Sequence, residues 1–287
     1  IESRMGVGAM EARRLVRTES TYIANSAELE SYRACGMEKF RFCAVLDIRT
    51  SDICAAMDGR VFEVEKASVG ENVPPLHPWC RSTTVAHFEK TDLTRLERSA
   101  RDPVTGKHRR IPGNMTYEDW KKQVDETHGG GTWETERKKV LNRAADRRQY
   151  DKYRETLGKK NLPKTLDGFQ QLKYNKSKEW NLLKSYKRAI QSGELTPLSD
   201  FELYKTTSDE IDKLLVGTVT KNGITITGKS NHFIARTIGS VEQRRNGVPI
   251  MYSKQALESP MEIKPVKHSP NGASQKFKGE HCFITFN

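Results

Sequence analysis

The sequence predicts an α+β protein, because helical and strand periodicities both occur along the chain. Residues 9–34 have the pattern of one long helix. Residues 40–48 alternate apolar and polar side chains, as a strand with one buried face does. Toward the other end, residues 223–227 are β-branched and alternating, and strands are predicted over 261–266 and 275–286.

Length and charge indicate several domains and a basic middle segment. The chain has 287 residues, of which 35% are apolar and 30% charged, with a net charge of +12. At about 100–200 residues per domain, this length predicts two domains with modest cores. The net charge is −1 over residues 1–90, +10 over 91–198 and +3 over 199–287. The middle segment suits either a solvated helical surface or one that meets nucleic-acid phosphates.

Several classes of protein are excluded or disfavoured by composition. The sequence has no run of 18 apolar residues, so no membrane span is expected. Five cysteines spread through a long chain argue against a disulfide framework and favour a reducing compartment such as the bacterial cytoplasm. No signal peptide is visible, and the first residue is Ile1, so we expect the natural N-terminus to lie upstream.

The elements of the first third follow from local signals. Ser51 and Asp52 can cap a short helix that carries Cys54, and residues 82–88 form a strand. Between them, residues 72–80 contain three prolines and cannot be helical. The long first helix offers five apolar residues as expected core contacts: Leu15, Val16, Tyr22, Ile23 and Ala27.

The middle of the chain is polar and then helical. Residues 95–133 contain turn signals and a run of three glycines, while 134–157 and 180–190 have helical patterns. The character changes again near 197–205, where we place a boundary. The predicted division is a first domain over residues 1–95, a basic and mainly helical connector over 96–198, and a tail domain over 199–287.

Cys54, His77 and Cys80 are a candidate metal site, because thiolates and imidazole are the ligands that zinc prefers. A structural zinc site needs four ligands, and the sequence offers Asp47, Asp52 or Cys43 as a fourth. The alternative is two buried cysteines and a histidine bonded to a backbone carbonyl. Both interpretations stay open.

The same segment resembles the phage minor head proteins, the Mu F-like head-morphogenesis family. The resemblance rests on residues 17–19, Asn25, Tyr32, Gly36, residues 47–51, Cys54, residues 58–59 and the run PPLHPWCRS at 74–82. It implies a virion protein that associates with portal and capsid proteins and with packaged DNA. Some members carry a cysteine/histidine site here, so the resemblance implies a structural zinc; this sequence lacks that site's second cysteine.

The tail contains a set of polar residues suited to phosphate chemistry. Asn231 can cap a helix in which His232 and Arg236 share one face, which is a natural phosphate site. No carboxylate cluster is present that would hold Mg²⁺, so we expect catalysis without a cofactor. RNA can be cut in this way because its own 2′-OH attacks the adjacent phosphate, given a base, an acid and cations. Any one of these residues alone is more simply a surface or packing group.

The tail also resembles the polymorphic toxin type 50 domain, which belongs with the barnase-, EndoU-, colicin- and RelE-like ribonucleases. The resemblance rests on residues 223–225, 232–240, 244–248 and 271–277. It implies a helix with a four-stranded antiparallel sheet and a metal-independent endoribonuclease, and also a chain that continues past Asn287. The implied catalytic residues are His232, Arg236, Ser274 and Thr285. Four further cations are expected to bind substrate: Arg244, Arg245, Lys267 and Lys276.

Two functions of different class follow. The first is a head protein that carries a ribonuclease toxin from the virion into the bacterial cytoplasm, with RNA as substrate and a cognate immunity protein as partner. The second is a purely structural minor head protein, whose tail has no catalytic role. A protein that binds host nucleic acid without catalysis is the third interpretation.

Overall fold

The structure, a computed structural model, describes residues 8–270 and 272–286. The chain divides into two compact units, Ile1–Leu141 and Asn142–Asn287. Both combine helices with small antiparallel sheets, which confirms the predicted α+β class. Within the described ranges, none of the helices combines the length and the apolar character that crossing a membrane requires.

The first unit is built around a three-stranded antiparallel sheet in the order β2-β1-β3. The strands of this sheet are β1 (Lys39–Cys43), β2 (Val61–Glu63) and β3 (Thr83–His87). Two further strands of the first unit, β4 (Glu97–Arg101) and β5 (His108–Pro112), form a separate hairpin. Its helices are α1 (Ala9–Ala34), α2 (Asp52–Met57), α3 (Tyr117–His128) and α4 (Thr132–Leu141). The predicted helices around residues 9–57 and the strand predicted over 82–88 are confirmed, but the strand predicted over 40–48 ends at Cys43, and Leu46 forms only an isolated bridge to Ala100. The hairpin and α3 replace a segment predicted only as polar turns.

Helix α1 has the predicted bounds, but the predicted buried face is wrong. Leu15, Val16, Tyr22, Ile23 and Ala27 are exposed. The buried side chains of this helix are instead Ala12, Asn25, Leu29 and Tyr32. The last three of these follow helical spacing and pack against β3, where the Tyr32 hydroxyl lies 3.2 Å from the Thr84 hydroxyl. The helix therefore turns a partly polar face to the sheet.

The first unit has three small apolar clusters rather than one large core. One of them joins Leu46 to Ala100 of β4, Ile111 of β5 and Trp120 and Val124 of α3. Because this cluster crosses residue 95, the hairpin and the two following helices belong to the same unit as the preceding sheet. The predicted boundary between residues 95 and 96 falls inside a compact unit.

The second unit has one continuous core. Its helices are α5 (Arg143–Leu157), α6 (Leu166–Asn175), α7 (Ser177–Gln191), α8 (Phe201–Leu214), α9 (Asn231–Ile238) and α10 (Ile250–Glu258). Leu183 and Tyr186 of α7 pack in the same core as Ile211 of α8 and Ile234 of α9. The predicted boundary between residues 198 and 199 therefore also falls inside a unit, and the helix predicted over 134–157 is interrupted at Asn142.

The sheet of the second unit is antiparallel and has four short strands. These are β8 (Glu262–Ile263), β9 (Lys267–Ser269), β10 (Gly272–Lys278) and β11 (Phe283–Phe286); β6 (Gly239–Ser240) and β7 (Arg245–Asn246) form a separate two-residue ladder. The order is β11-β10-β8, and β9 also pairs with β10. The single strand predicted over 275–286 is wrong, since residues 279–282 turn the chain between β10 and β11. Residues 223–227, predicted as strand, contribute only an isolated bridge at Thr225.

The two units differ sharply in charge. Residues 1–141 hold 23 Lys+Arg against 22 Asp+Glu, a net charge of +1. Residues 142–287 hold 26 against 15, a net charge of +11. Nearly all of the basic excess therefore belongs to the unit that contains His232 and Arg236.

Candidate functional site

The predicted metal ligands of the first unit come together. Ser51 caps α2, since its hydroxyl accepts a hydrogen bond from the Cys54 backbone N–H at 3.2 Å. This places Cys54 in the first turn of the helix with its thiol buried. The proline-rich loop before β3 carries His77 and Cys80 to the same place.

The three ligand atoms form a compact triangle. The sulfurs of Cys54 and Cys80 are 3.7 Å apart, and His77 Nε2 lies 3.2 Å from the Cys54 sulfur. Two thiolates on one tetrahedral zinc, with Zn–S bonds of about 2.3 Å, lie about 3.8 Å apart. His77 Nδ1 lies 2.7 Å from the Pro78 carbonyl oxygen, which can only accept, so Nδ1 donates and Nε2 keeps its lone pair toward the sulfurs.

The two thiols are chemically unequal. The hydrogen bond between the two sulfurs, together with burial, raises the pKa of Cys54, and the same hydrogen bond, against burial, lowers the pKa of Cys80. The suggested fourth ligands do not join the triangle. The Asp47 carboxylate accepts hydrogen bonds from both terminal guanidinium nitrogens of Arg81, at 2.5 and 2.7 Å. Asp52 forms an ion pair with Arg137 at 2.8 Å. Within residues 8–270 and 272–286, the group holds three His, Cys, Asp or Glu ligands.

The second candidate site lies on α9. Its N-cap is Ser230, whose hydroxyl accepts a hydrogen bond from the Phe233 N–H at 3.0 Å. The predicted cap, Asn231, is wrong by one residue, because the chain is still extended at Ser230 and already helical at Asn231. His232 and Arg236 share one exposed face as predicted, and Arg236 Nε lies 3.2 Å from His232 Nε2.

His232 has a second partner that the sequence did not indicate. Its Nδ1 lies 2.7 Å from a carboxylate oxygen of Glu194, in the segment between α7 and α8. The two residues are 38 positions apart, and no local pattern links them. Only the packing of α9 against α7 and α8 could have indicated the contact.

Arg245 extends this site into a group of four charged or titratable residues. Its guanidinium donates to the Glu194 carbonyl oxygen at 2.7 Å and to the Ala235 carbonyl oxygen at 3.4 Å. Burial, followed by repulsion from Arg236, lowers the pKa of Arg245. Arg236 therefore adjoins the imidazole, and Arg245 brings a second guanidinium near Arg236 and Glu194; paired guanidinium groups favour a bound anion. The adjacent Arg244 is exposed.

The remaining predicted residues lie on the sheet. Ser274 pairs with Lys267 across β10 and β9, and Lys276 pairs with Thr285 across β10 and β11. Because side chains alternate along a strand, all four occupy one face, opposite the buried Phe277. Lys276 also lies over the ring of the exposed Phe283, at 4.7 Å from its centroid. Asn271 and Asn287 lie outside the described residues.

The structure thus divides the predicted site into two groups. His232, Arg236 and Arg245 form one group, and Ser274, Thr285, Lys267 and Lys276 form the other. A cavity of about 460 Å³ has both Thr285 and the α9 cap Ser230 in its wall. Thr285 and the start of α9 therefore border the same cavity, whereas Ser274, in the part of the chain described, has no hydrogen bond to His232 or Arg236.

Comparison with known proteins identifies a class for the first part of the chain. Residues 1–85 match the family described as Phage Mu protein F like protein. This match supports a phage head protein similar to Mu protein F, and it covers β1, β2, the start of β3 and the Cys54–His77–Cys80 cluster. No curated protein and no solved structure matches the chain.

Proposed function

We propose that this chain is a phage head protein whose second unit is a metal-independent endoribonuclease. The observation that carries the proposal is the group formed by His232, Arg236 and Arg245, in which the imidazole lies beside the Arg236 guanidinium and Arg245 lies close enough to Arg236 to be repelled by it. The net charge of +11 on the same unit supports a polyanionic substrate, because clustered cations attract nucleic-acid phosphates.

The chemistry uses the 2′-OH of RNA as the nucleophile. His232 takes the proton of that hydroxyl at Nε2, the 2′-oxygen bonds to phosphorus, and the bond to the 5′-oxygen breaks. The products are a 2′,3′-cyclic phosphate and a 5′-hydroxyl, whose proton comes from a second acid or from water. Arg236 leaves Nε2 when RNA binds and, with Arg245, stabilises the negative charge that develops on the phosphate oxygens.

The exposed face of the sheet serves as the substrate-binding surface in this proposal. Lys267 and Lys276 neutralise backbone phosphates, and the hydroxyls of Ser274 and Thr285 donate hydrogen bonds to phosphate oxygens. Arg244, which is exposed immediately before β7, is expected to bind a further phosphate. Thr285, in the wall shared with the α9 cap, is the member of this group expected to lie nearest the cleaved phosphate.

The test uses the folded full-length chain, labelled RNA and EDTA. Wild-type protein should cut the RNA, and His232→Ala should abolish cleavage. His281→Ala is the matched control, because His281 is also a half-exposed histidine of the second unit and should be dispensable. RNA left intact by folded wild-type protein would favour the second function, a purely structural head protein with a non-catalytic tail.

We also propose a structural zinc ion in the first unit. Cys54, His77 and Cys80 fit the ion in donor chemistry and in sulfur–sulfur separation, and would supply three of its ligands. When bound, the ion would join α2 to the proline-rich loop and stabilise the sheet edge beside them.

Elemental analysis of the full-length chain tests the zinc site. We expect about one zinc per chain, most of it lost in Cys54→Ser and retained in Cys35→Ser, whose cysteine is exposed and outside the cluster. Less than about a tenth of an equivalent in wild-type protein would contradict the site.

The partners and location follow from the two activities proposed. The first unit is expected to bind portal and other capsid proteins in the virion, and basic side chains of residues 96–198 are expected to contact packaged DNA. The ribonuclease unit would act in the bacterial cytoplasm. A cognate immunity protein with an acidic surface is the partner expected to cover the His232 group.

A further inference from the structure

Glu194 is held beside His232 by its own main chain. Helix α7 ends at Gln191, and Gly193 turns the chain in a left-handed conformation with a φ of 72°. Leu195, which directly follows Glu194, has a fully buried side chain, and its backbone N–H donates to the Ala189 carbonyl oxygen at 3.1 Å. Arg245 donates to the Glu194 carbonyl oxygen from the other side. The carboxylate therefore reaches His232 from a fixed backbone.

The contacts of His232 define which nitrogen carries its proton. Arg236 Nε–H can only donate, so His232 Nε2 accepts and is unprotonated in this arrangement. Nδ1 then carries the hydrogen and donates it to the Glu194 carboxylate, 2.7 Å away. Both neighbours favour the same tautomer of a neutral imidazole.

We propose that Glu194 is the positioning residue for His232. Its carboxylate fixes the ring orientation and the Nδ1–H tautomer, which leaves Nε2 as the basic atom that faces the Arg236 guanidinium. As Nε2 takes a proton, the carboxylate stabilises the imidazolium that forms. The inference rests on the ribonuclease activity proposed above. It also assigns to the catalytic site a residue, Glu194, that lies before the predicted tail domain of residues 199–287.

The first experiment needs no RNA. The full-length chain is labelled with ¹⁵N, and the ring-nitrogen shifts of His232 are assigned with His232→Gln at a pH where the ring is neutral. Wild-type protein should show the Nδ1–H tautomer. Because Arg236 favours the same tautomer, Glu194→Ala is tested in an Arg236→Ala background: Arg236→Ala alone should retain Nδ1–H, and adding Glu194→Ala should shift the population toward Nε2–H. Glu258→Gln, which removes the Glu258–Lys254 ion pair in the same unit, should leave the tautomer unchanged. An unchanged tautomer in the double variant overturns the proposal.

The second experiment measures cleavage with Arg236 intact. Glu194→Ala should lower kcat by about tenfold with KM within about twofold, because misdirected proton transfer affects the chemical step rather than binding. Unchanged kcat, or a loss confined to KM, contradicts a positioning role. Failure of the ribonuclease proposal is recognised separately, as an inactive wild-type protein, whatever the tautomer spectrum shows.

Discussion

Asp58 and Arg98 form a buried ion pair joined at two points, with each carboxylate oxygen 3.0 Å from a guanidinium nitrogen. The Asp58 side chain has no exposed surface. Its carboxylate also accepts hydrogen bonds from the backbone N–H groups of Ala44 and Tyr117, each at 2.7 Å. One carboxylate thus joins the chain after β1, the turn after α2, strand β4 and the start of α3.

Replacing Asp58 should therefore destabilise the first unit. Asp58→Asn leaves Arg98 buried without its charge partner, and we expect the free energy of unfolding to fall by about 3–5 kcal/mol. Glu30→Gln, which removes an exposed ion pair with Arg33, should change it by less than about 1 kcal/mol. Urea denaturation of the full-length variants measures both. Equal effects of the two substitutions would contradict the structural role given to Asp58.

Asp102 predicts a pH-dependent contribution to stability. Burial acts to raise its pKa, but the N–H groups of Thr105 and Val104 and the ring of His128 outweigh burial and lower the pKa to about 2. The unfolded value is about 3.9, so the stabilisation is present above that pH and is lost as pH falls through about 2. The stability difference between wild-type protein and Asp102→Asn should therefore shrink between pH 6 and pH 2. A difference that stays constant with pH would rule this out.

Gly247 is required for the ladder that carries Arg245. A Cβ atom here would lie 2.5 Å from the carbonyl oxygens of both Thr237 and Ile238. Gly247→Ala should displace β7 from the end of α9 and lower the free energy of unfolding by about 1–3 kcal/mol. Gly228→Ala, where a Cβ meets open space, is the control. Thermal unfolding of both variants measures the effect, and equal melting temperatures would refute it.

The similarity of residues 1–85 to Phage Mu protein F like protein predicts that the chain is a component of particles. Mass spectrometry of gradient-purified virions or procapsids should detect it together with the portal and capsid proteins. Its absence from purified particles, while it is present in the lysate, would count against a head protein.

The helix bounds of α1 were predictable from sequence, but its buried face was not. Leu15 and Ile23 suggest an apolar face, yet the sheet selects the face of Asn25, Leu29 and Tyr32. The hairpin of β4 and β5 was missed because its strands carry Arg98, Arg101, His108 and further charged residues, which have low strand propensity. Its burial depends on contacts with distant residues.

The site shows the same division between local and distant information. His232 and Arg236 are four residues apart on one helix, so their proximity follows from helical geometry alone. Glu194 reaches His232 only through the packing of helices far apart in sequence. The residues of the Cys54–His77–Cys80 triangle were predictable from sequence, whereas the ion pairs of Asp47 with Arg81 and of Asp52 with Arg137 were not.

The termini of the cleaved RNA test the central claim most directly. Full-length protein is incubated with a defined RNA in EDTA, and the product ends are identified by mass spectrometry. We expect 2′,3′-cyclic phosphate and 5′-hydroxyl ends, since the nucleophile is the substrate's own 2′-OH. Intact RNA, or 3′-hydroxyl and 5′-phosphate ends that appear only with added metal, would contradict it.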